Sequence, residues 1–237
     1  MTALAHPRVS WTHPEVPAAI FGAACWGLLL APAVGGAARA AHTDAYNAVP
    51  WLAGTAGWLS MCIAMMVPPA LPHLRYLALS ALWRRRQRTI AVFLASYVSV
   101  WMAFGFVAAV FVAGAERLIG IGPGGLAGAV LAGAALWELS PWKWRALRAC
   151  HISAPLPPHG SKADLACIVA GLRYGRSCLV ACWPMMLAMA VVGHEALALM
   201  AVLSLIVAAE KLVVRASRLA PAAAAMMLCA AVFVVTS

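Results

Sequence analysis

The sequence predicts an all-α bundle of about seven transmembrane helices, and three observations carry that prediction. Charged residues are too few, apolar residues arrive in long blocks, and basic residues fall on alternate connections. Of 237 residues, 65% are hydrophobic and 10% charged, against roughly 45–50% and 25% in soluble domains. So few charges cannot clothe a soluble surface, so the expected solvent for most side chains is lipid.

A span needs about 20 mostly apolar residues to cross some 30 Å of hydrocarbon. Blocks of that kind occupy Val16–Gly36, Trp51–Pro69, Thr89–Ala115, Gly124–Leu139, Arg176–Gly193, Leu197–Val214 and Leu219–Val235. The fourth and the last are short, as tilted or partly interfacial helices would be. Backbone polar groups in a bilayer must be satisfied internally, which leaves helices or a closed barrel. Unbroken apolar runs lack the alternation of barrel strands, so helices are expected.

The net charge of +10 does not point to nucleic acid. With the first span entering from the cytoplasm, all but Arg39 and Arg117 of the 17 basic residues fall on the cytoplasmic side. That asymmetry is the positive-inside rule, and it predicts an N-in, C-out orientation for a multi-pass protein.

The first block has two readings. Arg8, an apolar stretch and Ala38-Arg39-Ala40 resemble a signal peptide. The long leader before the apolar stretch and the length of the stretch favour an uncleaved helix. The second block ends in a proline cluster, Pro68, Pro69 and Pro72. The fourth carries small residues four apart, Gly124 with Gly128, and Gly125 with Ala129 and Gly133. Such spacing lets backbones approach, so close packing on a neighbour, a partner protein or a second copy is expected there. Trp142 and Trp144 alternate with Lys143 and Arg145 as in an interfacial belt. Ala154–Gly160 is rich in turn residues, and a helix is expected to restart at Ser161 or Asp164, either of which can cap it. No repeat or internal boundary divides the chain, and a single domain over 1–237 is expected.

The residues that could carry chemistry are mostly sulfur-bearing. In the second block Met61 and Met65 stack at i, i+4, as do Cys62 and Met66. The fifth block places Cys178 and Cys182 at i, i+4 ahead of Pro184, Met185, Met186 and Met189. Pro184 frees the carbonyl of Val180, four residues back, and that carbonyl requires another partner. If the two helices are neighbours, their sulfurs meet at one depth. Thiolate and thioether ligands select soft ions, Cu(I) above all; the plain alternative is that Met and Cys only fill the core.

Glu138 and Glu210 are carboxylates within apolar blocks, where charge is costly and often functional. Structural pairing of Glu138 with Arg173 or Arg176 is expected, with Lys211 snorkelling to the interface. The alternative gives the two carboxylates direct metal or proton work. His194-Glu195, one turn past Met189, is either a polar turn or an outer metal contact. The odd number of cysteines, seven, argues against a disulfide framework. No phosphate-binding glycine fingerprint or nucleophile elbow is present, so no enzymatic activity is expected.

The run Trp58–Pro68, followed by Pro72, resembles a bacterial family of predicted metal-binding integral membrane proteins, some of whose members are labelled copper chaperones. Further matches are Tyr97–Trp101 with Phe104-Gly105, Pro141-Trp142-Lys143 with Cys150, Gly171, Gly175, Cys178 and Cys182-Trp183, Val192-Gly193, and Glu210-Lys211-Leu212. They spread over Trp51–Val214. The chain departs from the family pattern at Glu138, where glutamine is usual, at Ala146, where a cysteine is frequent, and at His194-Glu195, where Met-Asn is usual.

The resemblance implies an inner-membrane protein that binds or hands on a soft metal, copper. Expected ligands are Met61, Cys62, Met65, Met66, Cys178 and Cys182, with Glu138 and Glu210 as helpers and His194 and Glu195 as an outer contact. The rivals are a non-catalytic subunit of a membrane complex and a transporter of ions or small solutes. Neither calls for a nucleic-acid partner.

Overall fold

The computed structural model describes residues 13–34, 50–119, 123–151, 161–192, 196–213 and 218–236. Every regular element among them is helical. The α-helices are α1 (Val16–Val34), α2 (Pro50–Met66), α3 (Leu71–Ser80), α4 (Arg86–Ile119), α5 (Pro123–Glu138), α6 (Pro141–Cys150), α7 (Ser161–Val192), α8 (Leu197–Leu212) and α9 (Ala220–Thr236). Ala38–Ala40, the turn-rich Ala154–Gly160 and His194-Glu195 lie outside the described residues.

Each expected span coincides with a helix, but length divides them. Among the described residues, two stretches, Trp83–Ala115 and Ser161–Val192, are long and apolar enough to cross a membrane. A third crossing results if the bent pair Gly54–Met66 and Pro68–Ser80 is one broken span. The expected fifth span is the second half of α7, which begins at Ser161 and so takes in much of the expected cytoplasmic connection.

Proline chemistry explains the bend. Pro68 has no N–H to give the carbonyl of Ala64, and the chain passes through a 3-10 turn, Pro68–Ala70, into α3 at 44°. The orphaned Ala64 carbonyl accepts the indole N–H of Trp26 at 2.8 Å, which fastens α1 to α2. In α7, Pro184 leaves the carbonyl of Val180 without its helical donor, and the Trp137 indole of α5 supplies one at 3.0 Å. In both places a tryptophan on a neighbouring helix replaces the bond that proline removes.

Small residues set the closest helix contacts. A Cβ built on Gly171 would stand 2.6 Å from the Phe93 carbonyl, and one on Gly175 would stand 2.9 Å from Val100 Cγ2. Only glycine at these positions, one turn apart, lets α7 lie against α4. Their far ends are tied by Asp164, which accepts from Arg85 at 2.5 Å and Arg88 at 2.7 Å. Gly124 and Gly128 of α5 face α9, where a Cβ on Gly128 would meet Val235. The second stripe on α5, Gly125, Ala129 and Gly133, is exposed.

Candidate metal centre

The close approach at Gly171 and Gly175 carries α7 past Tyr97 of α4, and the next inward residue of α7 is Cys178. The Tyr97 hydroxyl lies 3.2 Å from Cys178 Sγ and 3.2 Å from the carbonyl oxygen of Met66. The Met66 carbonyl is available because the Ala70 N–H has turned to Val67 in the 3-10 turn after the break. One hydroxyl on α4 thus bridges the broken end of α2 and the cysteine of α7.

A second group reaches the same sulfur. Lys211 of α8 points its ammonium inward and donates to Cys178 Sγ at 2.7 Å, with its charge 5.2 Å over the Tyr174 ring. It is 5% exposed. This corrects the expectation that Lys211 snorkels to an interface: the sulfur and the aromatic face hold it in the core.

Glu138 and Glu210 are buried too, and their partner differs from the one expected. Lys143 of α6, fully buried, donates to Glu138 Oε2 and, at 2.7 Å, to Glu210 Oε1. Arg173 and Arg176 do not take that role. Ser140 caps α6 and Pro141 opens it, and this break between α5 and α6 lets Lys143, five residues after Glu138, reach its carboxylate. Glu210 Oε2 is buried without a hydrogen-bond partner among the described residues.

The sulfur residues named from sequence are all in the core. Met61, Cys62, Met65, Met66, Cys178 and Cys182 are each 1% exposed or less and share the buried hydrophobic core with Met185, Met186 and Met189. Among the described residues, no three His, Cys, Asp or Glu side chains close round a single point. A metal here would take thioethers to complete its shell. The donor set of thiols and thioethers fits a soft ion and is poor for a hard one. Cys150, at the end of α6, is also buried, and burial pushes its thiol up to about 12.

Sequence reasoning gave Tyr97 and Lys143 no part in the site and did not foresee the inward course of Lys211. A signal existed for the first two. Gly171 and Gly175 precede Cys178 at a spacing that demands a close neighbour, and a buried acid at 138 followed by a lysine after a capped turn invites a pair.

These features define an all-helical bundle whose core contains buried cysteines and methionines and a lysine–carboxylate network. A family model, PpoB2, described as copper chaperone, matches residues 55–234, and the chain belongs to that family. No curated protein and no solved structure matches it.

Proposed function

We propose that the chain is a multi-pass inner-membrane protein that receives Cu(I) and hands it on through the sulfurs around Cys178. The observation that supports this most directly is the environment of Cys178 Sγ. A lysine ammonium donates to it, a tyrosine hydroxyl lies beside it, and no carboxylate ion-pairs with that lysine among the described residues. The ammonium stabilises an anionic sulfur, the form that binds a metal. Met61, Cys62, Met65, Met66 and Cys182 are buried in the same core and are the further soft ligands of this reading.

In this reading Glu138 and Glu210 act through charge, since Lys143 engages an oxygen of each. The same engagement weighs against a transporter in which both carboxylates line a path. The exposed Gly125, Ala129 and Gly133 stripe supports a helix of a membrane partner or a second copy on α5.

Copper and zinc per chain in detergent-purified protein, read with a Cu(I)-chelator competition, test the proposal. Cu(I) should exceed Zn(II), and its affinity should rise with pH as thiols give up protons. Changing Cys178 and Cys182 together to Ser should remove most of the bound copper. Copper content unchanged in that double variant would sink the proposed site.

A further inference from the structure

A cavity of about 390 Å³ opens beside the buried sulfurs, lined by His73, Cys150, His151, Tyr174 and Lys211 among others. Its position is set by the proline break, since Pro69 and Pro72 form part of the same wall. His73 is held by stacking on Tyr174, with ring centroids 4.6 Å apart. Lys211 belongs to both places at once. It forms part of the cavity wall, and its Nζ lies 2.7 Å from Cys178 Sγ. The inner sulfur is therefore one side chain away from the cavity.

The lining is unusual for a void in so apolar a chain, because it offers one thiol and two imidazoles. We infer that this cavity is the loading port of the inner site, where Cys150, His73 and His151 hold Cu(I) in passing before it moves to Cys178. The inference rests on the reading of the inner sulfurs as a soft-metal site and adds the route by which they are filled. Among the described residues, no three His, Cys, Asp or Glu side chains form a metal-holding group, so this port offers passing contacts and no resident site. Copper remains Cu(I) throughout. A Cu–S or Cu–N bond in the cavity breaks as the Cu–S bond to Cys178 forms. Cys150 gives a proton to cavity water on taking the ion and regains one on releasing it. The Lys211 ammonium, displaced from Cys178 Sγ, turns into the vacated cavity.

The test separates rate from equilibrium. Metal-free protein in detergent is mixed with the Cu(I) complex of a coloured chelator, and the loading rate and final occupancy are read from its absorbance. His151→Gln and Cys150→Ser should load about tenfold more slowly and reach the wild-type occupancy. His151→Tyr, which narrows the mouth from an exposed position without removing a buried group, should do the same and guards against misfolding of the Cys150 variant. Wild-type rates in all three overturn the port while leaving the inner site standing. A lowered final occupancy in folded variants also overturns it, since those residues would then belong to the inner site. Wild-type protein that takes up no Cu(I) overturns the reading of the inner site and the port with it.

Discussion

Two lysines are buried in this core, and their partners differ. Lys143 stands between two carboxylates, Glu138 and Glu210. Lys211, adjacent in sequence to Glu210, turns the other way and meets a thiol and an aromatic face. The first arrangement consists of hard groups, one ammonium shared by two carboxylates, and is poor for a soft ion. The second leaves a sulfur held by an ammonium, in a core that contains further cysteines and methionines. A carboxylate is ionised in water at neutral pH, whereas a thiol is mostly neutral there. Removing a lysine should therefore cost the two regions very different amounts.

The largest effect is expected from Lys143→Met. Breaking a buried ion pair on one side costs roughly 3–5 kcal/mol, because charge is left uncompensated. Poor extraction and a lowered thermal midpoint in detergent should report it. Changing Glu138 and Glu210 to Gln in the same chain should restore much of the loss, since no charge then remains unpaired. Failure of that rescue would mean that Lys143 holds the fold by packing alone.

A smaller but still severe effect is expected where α4 and α7 touch. Gly175→Leu inserts a side chain where even a Cβ would stand 2.9 Å from Val100. Overpacking of this kind costs about 1–3 kcal/mol. It should also lower copper content, because Tyr97 and Cys178 meet only if the helices stay close. Gly133→Leu on the exposed stripe of α5 is the control. Nothing lies within 4 Å of a Cβ there, so stability should barely change, while any association through that face should be lost.

Lys211→Met sharpens the comparison with Lys143. The sulfur it leaves behind can rest as a neutral thiol, which packs as a small hydrophobe, so the melting temperature should shift little. Copper affinity should fall about 10- to 100-fold, the usual effect of removing a group that orients or activates a ligand. Chelator competition at fixed pH measures it. A variant that melts as far below wild type as Lys143→Met would show the two lysines to be equivalent.

The helical class, the blocks and the sulfur clusters of α2 and α7 were legible in the sequence because apolar periodicity and residue type are local properties. Pro184 also announced that the Val180 carbonyl would be orphaned, and the structure shows Pro68 doing the same to Ala64. Which groups would answer them was not legible, since Trp26 and Trp137 lie 38 and 43 residues away in the chain. The charge pairings failed for the same reason. Arg173 and Arg176 were near the right end of the expected bundle, but a capped turn at Ser140 swings Lys143 onto Glu138, and short-range pattern cannot encode that. The reversal of Lys211 depends on an acceptor on another helix. The resemblance marked Tyr97 without suggesting its role, because that role exists only once α7 is pressed against α4.

The smallest effect is expected at that tyrosine. Tyr97→Phe keeps the ring in its contacts with Phe93 and Tyr174 and removes only the hydroxyl. The lost oxygen deprives the Met66 carbonyl and Cys178 Sγ of one neighbour, and a single hydrogen bond is worth about 0.5–1.5 kcal/mol net. Stability should therefore fall by about that much, less than for any change around Lys143. Copper should respond differently according to how the hydroxyl acts. If it donates to the sulfur, Cu(I) affinity falls by up to about tenfold, in line with the same energy. If its proton stays on the Met66 carbonyl, affinity holds and only the break between α2 and α3 loosens, visible as faster amide exchange after Val67. Combining Tyr97→Phe with Lys211→Met decides between these. Additive losses of copper affinity would mean independent donors, and a combined loss no larger than that of Lys211→Met alone would confine Tyr97 to the helix break.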